Sequence, residues 1–461
     1  MTLNLWSGRF DASPDAATFE FGASFSFDRR LFEDDVTGSL AWARGLAKAG
    51  VLTREDAHRI EAALADILDR GRADPSFVAG DDEDVHSFVE RVLVERLGDA
   101  GRRLHTGRSR NEQVSVDLRL YLRRRIPPLQ RAIASVVGAL AAQAESAGTA
   151  LMPAFTHFRP AQPVRVAHFF LAHVAALRRD FDRLTAARSE ADALPLGSGA
   201  IAGTSYTVDV EAIARDLGFS RIVDNSIDAA SDRDFAAAFL FACSMAMVHL
   251  SRLAEDLIIF SGDEYRFFEL SDALSTGSSM MPQKKNPDPL ELVRGKSGRV
   301  LGELVGLLAT MKGIPSGYNK DLQEDKQAVF DAEDTLAGCL AAVRAVVAGL
   351  TLNRRRAEAM ASGLLLATDV ADYLVGKGVP FRRAHEIVGG LVRRLSPQER
   401  DFSSMTLDEW RGACDRFDED IVARITSEAS VAAKRTPQST APSAIQAKMA
   451  EVREWLARTL K

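Results

Sequence analysis

Cysteine is scarce in this chain of 461 residues, which has only Cys243, Cys339 and Cys414. They are too far apart for a redox CxxC or a metal knuckle, and an odd number closes no disulfide framework, so a reducing cytoplasm is the expected setting. Long apolar runs are also lacking. The longest, Phe235 to Val248, falls short of the ~20 residues a membrane crossing takes. The first dozen residues, with Trp6, Arg9 and Asp11, have no apolar core of a secretory signal. Neither sign of charge dominates: 58 Lys+Arg face 64 Asp+Glu, a formal charge of −6. A mildly acidic total disfavours a surface built for nucleic acid, so neither nucleic acid nor membrane is an expected partner. The histidines form no HExxH pair, Asp81-Asp82-Glu83-Asp84 lacks the spaced ligands and glycine of a calcium loop, and no phosphate loop or dinucleotide fingerprint occurs. The expectation is chemistry by side chains alone, with no metal and no cofactor.

What is present is ordinary for a globular protein, 46% hydrophobic and 26% charged residues, in a length that suits about three domains. Strand-like alternation appears only in fragments, while Ala, Leu, Arg and Glu recur at helical spacing, so the chain reads as all-α. From Ser231 to Phe260, Phe235, Phe239, Cys243, Met247, Leu250 and Leu257 form one stripe, with Ala236, Ala237, Ala238 and Ala242 opposite. A helix apolar nearly all round is buried on every side, in a large bundle or a subunit interface. Ser231 and Asp234 have the spacing of a capping box. Further long helices are expected over Gln113–Ala147, Val164–Arg188, Pro289–Lys312 and Asp321–Leu350, the first kinked or interrupted at Pro127-Pro128. They imply a central bundle over residues 111–360, with smaller helical domains at 1–110 and 361–461.

Four polar clusters stand out. Thr276 to Pro287 (TGSSMMPQKKNP) cannot be helix interior and reads as a loop feeding a helix with Asp288 as N-cap, Pro289 at its first position and Glu291 at its third. It is either a plain surface connection or an anion-binding loop at a helix N-terminus. Arg102 to Asn111 gathers four arginines and His105 without interleaved aromatics, which suits a small anionic ligand better than nucleic acid. Thr156-His157 lies between Pro153 and Pro160, in a short turn that presents the imidazole, although His86, His105, His168 and His249 compete for any catalytic role. Tyr318 to Lys326 is either a binding cluster or an exposed helix start, capped by Asp321 with Lys326 solvated.

Gly277-Ser278-Ser279-Met280-Met281-Pro282-Gln283-Lys284-Lys285-Asn286-Pro287 resembles the signature loop of the fumarase/aspartase superfamily. Together with His105 to Asn111, Pro195 to Thr204, Ser231 to Asp234, Tyr318 to Lys326 and Trp6 to Phe10, it resembles the argininosuccinate lyase branch over essentially the whole chain. Gln283 and Lys285 favour that branch over the adenylosuccinate lyases, which usually carry His and Arg there; inactive lens crystallins within the argininosuccinate lyase family are a second alternative. The resemblance implies a three-domain homotetramer with a long central helical bundle and active sites shared between subunits. It implies reversible, cofactor-free cleavage of argininosuccinate to arginine and fumarate, in arginine biosynthesis. It makes Ser278 and His157 the acid/base pair, with Glu291 orienting the histidine and Lys284 and Asn286 meeting the dianionic intermediate. It assigns substrate binding to Ser24, Asn111, Thr156, Tyr318, Gln323 and Lys326, with Arg110 and Arg233 as carboxylate anchors. Phe155, Phe158 and Arg159 depart from the family's common Tyr, Leu and Gln around this histidine.

Overall fold

The structure, a computed structural model, describes residues 15–460. The Trp6 to Phe10 part of the resemblance lies outside the described residues. Helix dominates, but the all-α expectation needs amending: four two-stranded sheets are also present among the described residues. The five longest helices are α1 Arg110–Ala147, α2 Val166–Glu190, α3 Asp234–Ser261, α4 Asp288–Met311 and α5 Asp325–Ala348, each close to where apolar periodicity put it.

Helix α3 buries its stripe as its spacing requires: Phe235 is 1% exposed, and Phe239, Cys243, Met247, Leu250 and Leu257 are fully buried. Removing each such large side chain from water stabilises the fold by about 1.5–3 kcal/mol. By length and composition α3 is apolar enough to cross a membrane, contrary to the reading of its shorter apolar run, but 56% of that stretch is buried inside the protein. Its cap is not Ser231, which ends a short helix, Ser226–Ser231; the Asp234 N–H donates instead to Asp232 Oδ1 at 2.7 Å.

Helix α1 runs through Pro127 and Pro128 without interruption. Pro127 has no N–H for the Arg123 carbonyl, and Arg188 Nε takes its place, donating to that oxygen at 3.3 Å. The freed acceptor is thus satisfied by tertiary structure.

The chain divides into two compact units. The first holds residues to Gln130, Asp182–Met245 and Gly298–Leu336; the second holds Arg131–Phe181, Ala246–Ser297 and Ala337 onward. Trp42, Phe88, Tyr121, Phe235 and Phe239 fill the first. In the second, Phe155 packs against Phe260, Tyr265 and Phe267 with ring centroids 5.4, 5.6 and 6.4 Å away. A further core there gathers Val370, Leu374, Leu391, Trp410 and Phe417.

Candidate functional site

The Ser278 loop is a small hairpin in the second unit. Strand β1, Thr276–Gly277, pairs antiparallel with β2, Lys285–Asn286, so Ser278 to Lys284 form the connecting loop. Ser278 Oγ accepts from the backbone N–H groups of Met281 at 3.0 Å and Met280 at 3.3 Å. Two fixed donors on one hydroxyl oxygen favour its ionised form. Asn286 Nδ2 donates to Thr276 Oγ1 at 3.4 Å, and Lys285 Nζ is held by Asp272 at 2.7 Å. That hydrogen bond raises the Lys285 ammonium above its ordinary pKa. Lys284 is exposed, and no ion pair engages it among the described residues. Asp288 does not cap α4 as expected. It is the first helical residue, and its Oδ2 accepts from Thr276 Oγ1 at 2.6 Å, tying the hairpin to the helix. Glu291 is exposed one turn in.

His157 occupies the tip of a second hairpin in the same unit. Strand Leu151–Thr156 pairs with strand Arg159–Arg165, and Thr156 faces Arg159, leaving His157-Phe158 as a two-residue turn. Both turn residues are left-handed, with φ of 55° each. This is the backbone of a tight hairpin turn that Asn-Gly usually occupies. Pro153 and Pro163 face each other in the strands themselves; a two-stranded ribbon has only edge strands, where a missing N–H is tolerated. Phe155, next to the pair that closes the turn, packs into its ring cluster, while Phe158 is 74% exposed beside the histidine. Within one chain, no hydrogen bond joins His157 to Ser278 or to Glu291 among the described residues.

The first unit collects the other cluster. Asp325, at the start of α5, is fully buried: its Oδ2 accepts from Arg233 Nε and its Oδ1 from Lys326 Nζ at 2.9 Å. Burial pushes the Asp325 carboxyl up, but Lys326 and Arg233 outweigh it and hold the group below its usual range. Two buried cations thus share one carboxylate as hydrogen-bond acceptor, with Asp28 a second acid within electrostatic reach of Lys326. The alternative of a solvated Lys326 behind an Asp321 cap is overturned, because Lys326 is 2% exposed and Asp321 sits in a 3-10 turn, Lys320–Glu324. Tyr318 feels Arg233 and Asp325, and burial pushes its phenol up to about 12. Gln323 Nε2 donates to the Gly22 carbonyl at 3.3 Å, next to Ser24, whose Oγ donates to Asp28 at 2.5 Å. Arg110 lies 3.6 Å from Glu90 and 3.9 Å from Asp84, and Asn111 Nδ2 donates to the Ala200 carbonyl at 3.3 Å.

Comparison with known proteins agrees with these motifs. A lyase family model matches residues 8–302, and a model for the argininosuccinate lyase C-terminal region matches residues 364–432. An argininosuccinate lyase of Moorella thermoacetica is 47% identical over 459 residues, 99% of this chain and 98% of its own length. Another, from Desulforudis audaxviator, is 46% identical over 98% of this chain and 99% of its own. This chain belongs to the argininosuccinate lyase family. Among solved structures, EDDS lyase in complex with formate superposes with a TM-score of 0.84 at 26% identity, covering 97% of this chain and 93% of the other. A class II fumarase from Schistosoma mansoni shares the fold, with a TM-score of 0.76 at 15% identity over 88% of this chain and 92% of its own.

This member of the argininosuccinate lyase family also carries a buried polar group near the Asp325 cluster, of which motif reading named His86 alone. Asp35, His86 and Asp117 are buried together, with ligand-capable atoms all within 4.8 Å of one another. His86 Nδ1 lies 2.9 Å from Asp35 Oδ1 and 3.1 Å from Asp117 Oδ2. Burial pulls the His86 pKa down, but Asp84, Asp35 and Asp117 overcome it and bring it to about 10. The imidazole and its two carboxylates form a buried charge network. It adjoins His105, whose imidazole burial and then Arg108 and Arg110 depress to about 4. No spacing rule finds such a trio, since its members come from three separate segments. Glu112 was missed as well, although Ser109-x-x-Glu112 is a legible capping box.

Proposed function

We propose that this protein is an argininosuccinate lyase, catalysing the reversible elimination of argininosuccinate to arginine and fumarate in arginine biosynthesis. The observation that carries the reading is the Ser278 loop, whose hydroxyl oxygen receives two backbone N–H groups in a segment that ends at a helix of 24 residues. A serine is a poor base unless its alkoxide is stabilised, and those donors, with Lys284 in the same loop, supply that stabilisation. Ser278 Oγ takes the proton beside the substrate carboxylate, leaving a dianion that Lys284, Asn286 and the N-terminal end of α4 receive. The C–N bond then breaks with its electron pair going to the guanidino nitrogen, which takes a proton from His157, oriented by Glu291. Ser24, Arg110, Asn111, Thr156, Arg233, Tyr318, Gln323 and Lys326 hold the substrate ends. No metal or cofactor enters these steps.

We further propose a cytoplasmic homotetramer of three-domain subunits, divided near residues 110 and 360, whose active sites take residues from several copies. Helix α4 supports this: Leu301, Val305 and Leu308 are 40, 65 and 48% exposed on it, and a Cβ added at Gly298, Gly302 or Gly306 would meet nothing within 4 Å. Apolar and glycine positions open to water at helical spacing suit close packing against further helices. Mixing a Ser278→Ala protein with a His157→Asn protein is expected to restore part of the activity through hybrid sites. No recovery after confirmed subunit exchange would rule out shared sites. For the reaction itself, purified protein with argininosuccinate should produce fumarate absorbance; turnover of adenylosuccinate instead would move the protein to that branch, and no turnover of either would leave a crystallin-like scaffold.

A further inference from the structure

We infer that Glu112 is a positioning residue of the active site, a buried carboxylate that fastens the glycine loop Gly197–Gly203 to the start of α1 and thereby sets the Asn111 carboxamide for substrate. The inference rests on the proposed role of Asn111 in substrate binding. A helix cap alone would use one oxygen, and Glu112 Oε1 does accept from the Ser109 N–H at 3.0 Å, as a capping box requires. The second oxygen serves no helix. Oε2 accepts from the Gly197 N–H at 2.7 Å and the Gly199 N–H at 2.9 Å, in a loop more than eighty residues away in sequence. The side chain is fully buried, and that burial pushes its carboxyl up to about 7 in spite of three backbone donors. An exposed helix end needs no such desolvated group.

The loop on the other side is built to receive it. Gly197, Gly199 and Gly203 have φ of 104°, 58° and 84°, and a Cβ on Gly199 would lie 2.5 Å from the Gly203 carbonyl oxygen. Gly203 N–H closes the turn by donating to the Ser198 carbonyl at 2.7 Å. Within that turn the Ala200 carbonyl accepts Asn111 Nδ2. The loop also mates with the basic segment before α1, since a Cβ on Gly107 would lie 2.6 Å from the Tyr206 ring and 2.8 Å from Thr204 Oγ1. Glu112 and Asn111 are thus adjacent residues that grip one loop at three points. One N–H of the Asn111 amide is committed there, which leaves its carbonyl oxygen and second N–H at a fixed angle for a polar substrate group.

The test is a double-mutant cycle in the full-length enzyme with argininosuccinate as substrate, using Glu112→Gln, Asn111→Ala and the pair. Gln places an NH2 against N–H donors, so the loop should come loose while the volume is kept. If Glu112 acts through Asn111, Glu112→Gln raises KM about tenfold with kcat within about threefold, the pattern of lost uniform binding. The double variant then stays within about twofold of the KM of Asn111→Ala. A wild-type KM in Glu112→Gln, with or without a lowered melting temperature, overturns the inference and leaves a structural cap. So does a double variant whose KM effects multiply, and so does an Asn111→Ala protein with native KM. A wild-type protein that does not cleave argininosuccinate at all would sink the functional reading itself, a different outcome. If Glu112→Gln does not fold, Gly199→Ala disturbs the loop at a point that Glu112 grips, without changing any residue of α1; the same KM rise is expected, and a native KM overturns the inference.

Discussion

Lys326 and Lys284 carry the same ammonium into opposite surroundings. Lys326 is 2% exposed and hydrogen-bonded to a carboxylate that is itself fully buried, whereas Lys284 stands on an exposed loop with no ion pair among the described residues. The contrast extends to their neighbours. Around Lys326, Arg233 and Asp325 are desolvated and already oriented before any ligand arrives; around Lys284, Met280 is 87% exposed. A charge in water at 4 Å is worth about 1 kcal/mol, and several times that once water is excluded. The buried cluster is therefore finished within one chain, while the exposed groups reach full strength only when something covers them, which is what the proposed sharing of sites between copies supplies.

The sharpest way to separate the two regions is a pair of substitutions. Ser278→Ala should lower kcat by at least about 10³-fold, roughly 4 kcal/mol of barrier, while substrate binding measured by calorimetry and the urea midpoint stay near native, because the loop is open to solvent. Turnover within tenfold of native would remove the serine from the chemical step. Asp325→Ala should do the reverse to stability. Removing that carboxylate strips two buried cations of their hydrogen-bonded counter-ion, a loss of about 3–5 kcal/mol by urea unfolding. A stability loss below about 1 kcal/mol would mean the cluster is wetter than its burial implies.

The same contrast decides how much could be read in advance. Long helices were legible because burial imposes a period, as in the stripe from Phe235 to Leu257. The His157 turn was legible as a turn but not as a hairpin, since Pro153, Pro160 and Pro163 argue against strands unless the ribbon has only edges. Pro127-Pro128 misled for a tertiary reason, the Arg188 donor that repairs the helix. The loop around Ser278 was visible from its composition, but the two N–H groups on its oxygen depend on backbone torsions that composition does not encode. The network of Asp35, His86 and Asp117 was invisible because folding alone brings its members together.

That network gives the buried region a pH dependence of its own. The folded His86 pKa, about 10, lies above its ordinary 6.5, with Asp84, Asp35 and Asp117 as the facing carboxylates. A raised pKa means the stabilisation is fully present below about 6.5 and is lost as pH rises through about 10. The urea stability difference between the native protein and His86→Asn should be on the order of 2–4 kcal/mol at pH 6 and shrink steadily toward pH 10. A difference that grows with pH would show that the imidazole is neutral in the folded protein.

The smallest expected effect lies at the exposed hairpin, where Phe158 holds a left-handed φ of 55° beside His157 with 74% of its surface in water. A non-glycine residue there costs about 1–2 kcal/mol, and glycine costs roughly 0.5–1 kcal/mol in lost chain entropy. Phe158→Gly should therefore gain about 0.5–1 kcal/mol in urea unfolding of the isolated chain. Activity should move the other way, kcat falling a few-fold, because the strained pair fixes the direction of the imidazole and a glycine hinge loosens it. Loss of stability instead would mean that the ring is covered, and if the loss occurs only at protein concentrations where copies associate, the covering surface is another subunit.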